Sequence, residues 1–182
     1  ISEILKETYN RFLPTAKQNY LEFNLQLPEK DFYAPVDKEA LTKILSNLFN
    51  NAVKYAQSNI IAQLDIQPES NPNMFMITVS NDGTLIPKDM EEDIFKPFVQ
   101  IKNTDNGQRT AGTGIGLPLA RSLAELHKGK LYLKNEDQIC FCVELPITQE
   151  NVIQLSKHYI EDSPNIPDRH LATTPENQNT IL

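Results

Sequence analysis

The chain has 182 residues, 40% of them hydrophobic and 23% charged, which suits one globular domain with a single core and some surplus. A formal net charge of -7 and a pI near 5.0 argue against a nucleic-acid or anionic-membrane surface, because both need clustered Lys and Arg to replace counterions. No apolar run approaches bilayer length and no basic-then-apolar leader opens the chain, so the fragment is expected to be soluble, with no membrane contact of its own.

The first residue is Ile1, already inside a helical pattern (Ile1, Ile4, Leu5, Phe12, Leu13, Ala16), so a longer natural chain is expected to precede it. Leu21, Phe23, Leu25 and Leu27 alternate with polar residues and predict a half-buried strand, and Asp31 to Val36 reads as a short edge strand. Asp37 is placed to cap a long helix through about Tyr55, with Leu41, Ile44, Leu45, Leu48 and Ala52 as its core stripe. Two strands near Ile60 to Ile66 and Met74 to Ser80 flank a turn-rich run and predict a hairpin. Lys96 to Thr113 is polar and rich in Asn, Thr and Gly, longer than an ordinary connection, and reads as a lid. Ile115 to Leu126 returns to helical spacing, with Gly129 placed to end it. Leu131 to Leu133 and Ile139 to Leu145 predict a second hairpin, and Pro146 closes the domain. Beyond it, Thr148 to Ile160 reads as a weak helix, and Asp162 to Thr180, rich in Pro, Asn, Thr and charge, as a linker. Helices combined with antiparallel hairpins give an α+β two-layer sandwich.

Cys140 and Cys142 sit two apart on a predicted strand and so face the same way. They read as two buried thiols in a reducing compartment, since no further cysteine and no histidine at ligand spacing accompanies them. His127, at the end of the last main helix, and His158 and His170 in the tail read as capping or solvated residues.

Two features carry chemistry. Asn47, Asn51 and Lys54 are spaced by four and three residues on the long helix, which at about 100° per residue makes one polar stripe at the edge of the core face; an ordinary solvated helix face is the plain alternative. Gly112, Thr113, Gly114, Ile115, Gly116 and Leu117 then open the next long helix, where free backbone N–H groups and the positive helix end suit a phosphate. The run lacks the Lys of a P-loop and follows no first strand of a parallel unit, so a bare glycine turn remains open.

Together these residues resemble the catalytic domain of sensor histidine kinases, in the superfamily that includes DNA gyrase, the mismatch-repair protein MutL and the large heat-shock chaperones. Over about Ile1 to Pro146, four ordered motifs carry the resemblance. Asn47 to Tyr55 is similar to the N box, Asn81-Asp82-Gly83 with Ile86-Pro87 to the first glycine box, Phe95 to Phe98 to the F box, and Gly112 to Leu117 to the second glycine box. The resemblance implies a Bergerat-type fold, a mixed and mainly antiparallel sheet covered on one face by helices, with ATP and Mg²⁺ as cofactors. It implies Asn51 as the magnesium ligand with Asn47 beside it, Lys54 on phosphate, Tyr55 packed at the nucleotide, and Asn81, Gly83 and Ile86 at the base. It further implies Gly112, Thr113, Gly114, Ile115, Gly116 and Leu117 at the phosphates, and Arg109 as the charged lid residue.

Hydrolytic members of that superfamily carry a Glu one helical turn before the metal Asn. This chain has Asn47 there, and a neutral amide is a poor base for water, so phosphoryl transfer to a histidine is the implied reaction. The chain departs from the pattern at Asn81, where the kinases usually place an Asp that accepts from the adenine amino group, and at Leu85, which replaces a glycine and so must avoid a backbone conformation only Gly tolerates. Asn81 is expected to accept through its carbonyl oxygen, with weaker ATP binding and looser adenine discrimination. The phosphoacceptor hairpin is absent from this sequence. It would precede the domain and dock near Phe95 and Phe98, for which a core role is equally open. Residues 1–146 are thus expected to form the catalytic domain, 147–178 a linker, and 179–182 the start of a receiver domain or a route to a response regulator. The domain is expected to be cytoplasmic, within a parent that is membrane-anchored or not. A partner-binding pseudokinase and an ATP-driven conformational machine are the competing functions.

Overall fold

The computed structural model describes residues 1–66, 73–101 and 113–148. Arg109, Gly112, most of the predicted lid, weak helix and linker, and the possible receiver start lie outside them.

Ser2–Gln18 forms helix α1, burying Ile4, Leu5, Thr8 and Ala16. It ends at Tyr20, whose φ is 58°. Tyr20 N–H donates to Lys17 O and Leu21 N–H to Ala16 O, the paired closure of a Schellman turn. Leu21 is thereby aimed into strand β1, Glu22–Gln26. Residues 31–37, expected to begin with an edge strand, form no ladder. The segment is instead tied to the start of α1, where Phe32 O accepts from the N-terminal amine and from Ser2 N, and Phe32 N donates to Ser2 Oγ.

Helix α2, Lys38–Tyr55, starts where expected, because Asp37 Oδ1 accepts from the backbone N–H groups of Glu39 and Ala40. Leu41, Leu45, Leu48 and Phe49 are fully buried, and burial of each contributes about 1.5–3 kcal/mol. Strands β2, Asn59–Ile66, and β3, Met74–Asn81, pair antiparallel. Two short 3-10 turns, Lys88–Met90 and Asp93–Phe95, lead to helix α3, Gly116–Leu126. Strands β4, Lys130–Asn135, and β5, Ile139–Pro146, complete the sheet.

The strand order is β1-β2-β3-β5-β4. Only β1 and β2 are parallel, as they must be when α2 forms a crossover between them. The sheet is thus mixed and mainly antiparallel, and the three helices cover one face. Phe75, Ile77 and Val79 of β3 and Phe141, Val143 and Leu145 of β5 join α2 in the core. Asn81, next in the β3 alternation after Phe75, Ile77 and Val79, turns to the same helix-covered face and is only 3% exposed.

Gly129 does not take the left-handed position that ends α3. Lys128 does, with φ 56°, while its N–H donates to Glu125 O and Gly129 N–H to Ala124 O, repeating the α1 closure. Gly129 is required for a different reason: a Cβ there would collide with the Glu144 carbonyl of β5. Lys128→Gly should therefore stabilise the domain by about 0.5–1 kcal/mol. Gly129→Ala should destabilise it by more than about 1 kcal/mol. Urea unfolding of both variants checks the assignment, and the opposite order of stabilities would overturn it.

Candidate nucleotide site

The C-terminal half of α2, the end of β3 and the start of α3 meet at one edge of the helical layer. Asn47 Nδ2 donates to Lys43 O one turn back at 2.9 Å, which turns its Oδ1 outward from the helix. A Cβ placed on Gly116 would lie 2.6 Å from that oxygen. The N box and the second glycine box, distant in sequence, therefore lie side by side, and a side chain at 116 would have to displace the Asn47 amide. Asn51, one turn further along α2, is half-buried, and its amide makes no hydrogen bond to the described residues. Lys54 extends over the Tyr55 ring, with Nζ 4.7 Å from the centroid.

At the start of α3, Ile115 is the N-cap and supplies no side-chain cap. Gly116 and Leu117 therefore present backbone N–H groups that have no partner within the helix. Pro118, third in the helix, removes only a donor that would have been left over anyway. Gly114 has φ 68°, and a Cβ there would lie 2.9 Å from Phe98 Cα and from Val99 O. Gly114 O accepts from Phe98 N–H at 2.9 Å, so the two ends of the predicted lid are clasped at its base. Thr113 is exposed and precedes this clasp.

The first glycine box divides its polar residues between two tasks. Asn81 Oδ1 accepts from Gly83 N–H at 3.0 Å. That bond fixes which amide atom is oxygen and leaves Nδ2 with no hydrogen bond to the described residues. The engaged oxygen retains one lone pair for a ligand, as expected of it, and the unbonded Nδ2 adds a donor beside it. Gly83 fits against Tyr55 O, where any side chain would collide. Leu85 takes no left-handed conformation, as its replacement of a glycine required, and lies 44% exposed.

Asp82 points the other way. Its carboxylate accepts from the N–H groups of Gln57, Ser58 and Asn59 and from Ser58 Oγ at 2.6 Å, clasping the turn that leaves α2. Partial desolvation raises its pKa, but the bonds from Ser58, Asn59 and Gln57 outweigh this and hold it well below the usual carboxylate range. A depressed carboxylate pKa adds stability above the unfolded value, near 3.9, and loses it as pH falls through the folded value. Asp82→Ala should cost about 1–3 kcal/mol at pH 7, with the gap to wild type closing as pH falls below about 4. Thermal denaturation across pH tests this, and a gap constant from pH 7 to pH 2 would refute it.

The two F-box aromatics separate. Phe95 is 6% exposed, edge-on to Phe141, with the Arg121 guanidinium 3.4 Å from its ring centroid. Arg121 also donates to Leu131 O and Glu92 Oε2, tying α3 to both β4 and the 3-10 segment. Phe98 is 75% exposed with φ 66°, an unfavourable conformation for a bulky side chain. Ile86 is buried, and Asn135 holds its backbone from both sides, Nδ2 donating to Ile86 O and Oδ1 accepting from Ile86 N. The sequence reading missed Arg121, Asn135 and the role of Asp82, because each acts on a partner 10 to 49 residues away. His127 fills a capping role, its ring buried and Nδ1 2.7 Å from Leu123 O. An open groove of about 660 Å³ between α1 and the first half of α2, lined by Arg11, Lys38, Thr42, Lys43 and Ser46, touches this site only at Asn47.

These features fit a magnesium nucleotide. The half-buried Asn51 amide offers a hard oxygen ligand, the start of α3 offers free N–H groups to anionic oxygens, and three glycines hold positions where a side chain would enter neighbouring atoms.

The comparisons agree. The chain belongs to the family of histidine kinase-, DNA gyrase B- and HSP90-like ATPases, whose model matches residues 36–149, and within it to the ATP-binding catalytic domains of sensor histidine kinases. It is 28% identical over 116 residues to the sensor histidine kinase WalK of Bacillus subtilis, covering 64% of this chain and 19% of that protein. It is 29% identical over 149 residues to the sensor histidine kinase RppB of Synechocystis, covering 81% of this chain and 32% of that one. The catalytic domain of the histidine kinase ThkA superposes with a TM-score of 0.69 at 25% identity, covering 82% of this chain and 94% of that one. The chain therefore spans well under half the length of these curated relatives. Among the described residues no helix is long and apolar enough to cross a membrane.

Proposed function

We propose that this domain transfers the γ-phosphoryl group of ATP to a histidine on a dimerising helical hairpin that precedes it in a longer parent protein. The observation that carries this reading is Asn47, one turn before Asn51 on α2, lying against the start of α3 at Gly116. The position one turn before the metal ligand holds an amide oriented by Lys43 O, not a carboxylate able to deprotonate water. The nucleotide is thus kept for a protein nucleophile.

In this reading Asn51 holds Mg²⁺ and Lys54 neutralises phosphate. The backbone of Gly112, Thr113, Gly114, Ile115, Gly116 and Leu117 receives the phosphate oxygens, and Arg109 adds charge from the lid. When bound, Mg²⁺ offsets charge on the phosphates. The remaining work is positioning, supplied by the glycine contacts and by Tyr55, Gly83 and Ile86 around the base. Phe98, aromatic, exposed and held at the lid clasp, is the docking contact for the hairpin, whereas Phe95 is an anchor in the core. Residues 1–146 form the catalytic unit, 147–178 a linker, and 179–182 lead into a receiver domain. The free thiols suit a cytoplasmic location.

The domain mixed with ATP, Mg²⁺ and the hairpin from its parent should form acid-labile phosphohistidine. Asn51→Ala should lower Mg²⁺-dependent nucleotide affinity at least about tenfold and transfer by about a hundredfold or more. Nucleotide binding with no phosphohistidine would favour a binding module instead.

The Asn81 orientation adds a second expectation. With its oxygen engaged by Gly83, Asn81 donates to the base, and a donor matches guanine O6 where a carboxylate matches the adenine amino group. Calorimetric titration should show ATP and GTP binding within about tenfold of each other in wild type. Asn81→Asp should shift the ratio toward ATP by about five- to tenfold, the worth of one charge-assisted hydrogen bond. An unchanged ratio would refute donation by Asn81.

A further inference from the structure

The sheet face turned away from the helices carries Cys140, Cys142 and Glu144 of β5. Cys140 Sγ and Cys142 Sγ lie 3.8 Å apart, both thiols are free, and Cys140 is the more accessible. In the ladders Ser80 and Lys134 flank Cys140, while Thr78 and Tyr132 flank Cys142. The hydrogen bond from Cys142 lowers the Cys140 pKa against the opposing effect of burial, and Lys134 lowers it further. The same bond and burial raise that of Cys142. One thiolate-prone sulfur therefore sits beside one that keeps its proton.

A direct disulfide suits this pair poorly. Residues two apart in a strand have Cα atoms about 6.6–6.8 Å apart, the outer limit of the roughly 4.4–6.8 Å that disulfides span. Shortening that distance would bend β5, which is laddered on both sides, to β3 and to β4. A bridging atom asks for less movement of β5, since it holds two sulfurs well apart with no bond between them, as the 3.8 Å separation already does, and it need only displace what covers the buried Cys142. A zinc-like ion would need further protein ligands, and among the described residues no group of three or more His, Cys, Asp or Glu could hold a metal.

We propose that Cys140 and Cys142 form a two-sulfur site for a soft, thiophilic centre that brings its own remaining substituent, of the trivalent organoarsenical class. The reaction is a condensation. An arsine oxide and two thiols give a cyclic dithioarsinite and one water, two As–S bonds replace the bonds to oxygen, both thiol protons leave in the water, and no oxidation state changes. Cys140 attacks first, as the more accessible and more acidic thiol, and Cys142 closes the ring. The site is independent of nucleotide binding.

The test uses the full 182-residue chain and phenylarsine oxide, followed by intact-mass spectrometry and by competition with a monothiol and a dithiol. One adduct per chain, formed with loss of one water, should persist in excess monothiol and be removed by dithiol. Cys140→Ser and Cys142→Ser should each weaken retention by about a hundredfold or more, because the second bond becomes intermolecular. Cys142→Ala, which keeps a small apolar group at the buried position, repeats the test if the Ser variant misfolds. Retention in either single variant equal to wild type would overturn the proposal. So would ready formation of an intrachain disulfide under diamide, since it would show that β5 permits the direct bond.

Discussion

The approach of α3 to α2 at Gly116 is the contact on which the rest of the site depends. Asn47 Oδ1 occupies the space a side chain at 116 would need, so the helices meet at an amide and a backbone rather than through interleaved side chains. The row of small residues continues along α3 with Ala120 and Ala124, both fully buried, at the four-residue spacing of one helix face. This closeness brings the start of α3 beside Asn47. A larger residue at 116 would have to displace the Asn47 amide, disturbing the site without touching any ligand.

Around that contact the frame is held by polar clamps between distant segments. Asp82 fastens the exit of α2 to the end of β3, Asn135 grips the backbone of Ile86, and Arg121 couples α3 to β4 and to Phe95. Asp82 and Asn135 act through side-chain hydrogen bonds to backbone, and Arg121 through hydrogen bonds to Leu131 O and Glu92 together with a cation–π contact on Phe95; the hydrogen bonds are directional and so fix loop position. The pocket is thus a set of loops pinned to a rigid sheet rather than a cavity carved from the core, a placement common for binding residues.

Most of the fold was legible from periodicity. The α2 stripe, the Asp37 cap, both hairpins and the α3 pattern are local signals, decided within a dozen residues, and they agree with the structure to within a residue or two. The residues that needed long-range partners were less legible. The stretch 31–37 has strand-like composition but is claimed by the start of α1 through Phe32. Lys128 and Tyr20 take left-handed turns that sequence rules assign to Gly or Asn, and Gly129 is needed for a carbonyl on β5 that lies far along the chain. In the candidate site, residue identities were visible in the ordered motifs. The orientation of Asn81 was not, because it depends on which amide atom meets Gly83 N–H.

The Phe98–Gly114 bond has a consequence for how this domain can vary. It joins the two ends of the segment between them, so the closure of that loop is settled at its base and not by its contents. For a flexible loop closed this way, doubling the length adds only about 0.6 kcal/mol of closure cost. The segment between Phe98 and Gly114 can therefore change in length at little cost to the α2–α3 frame.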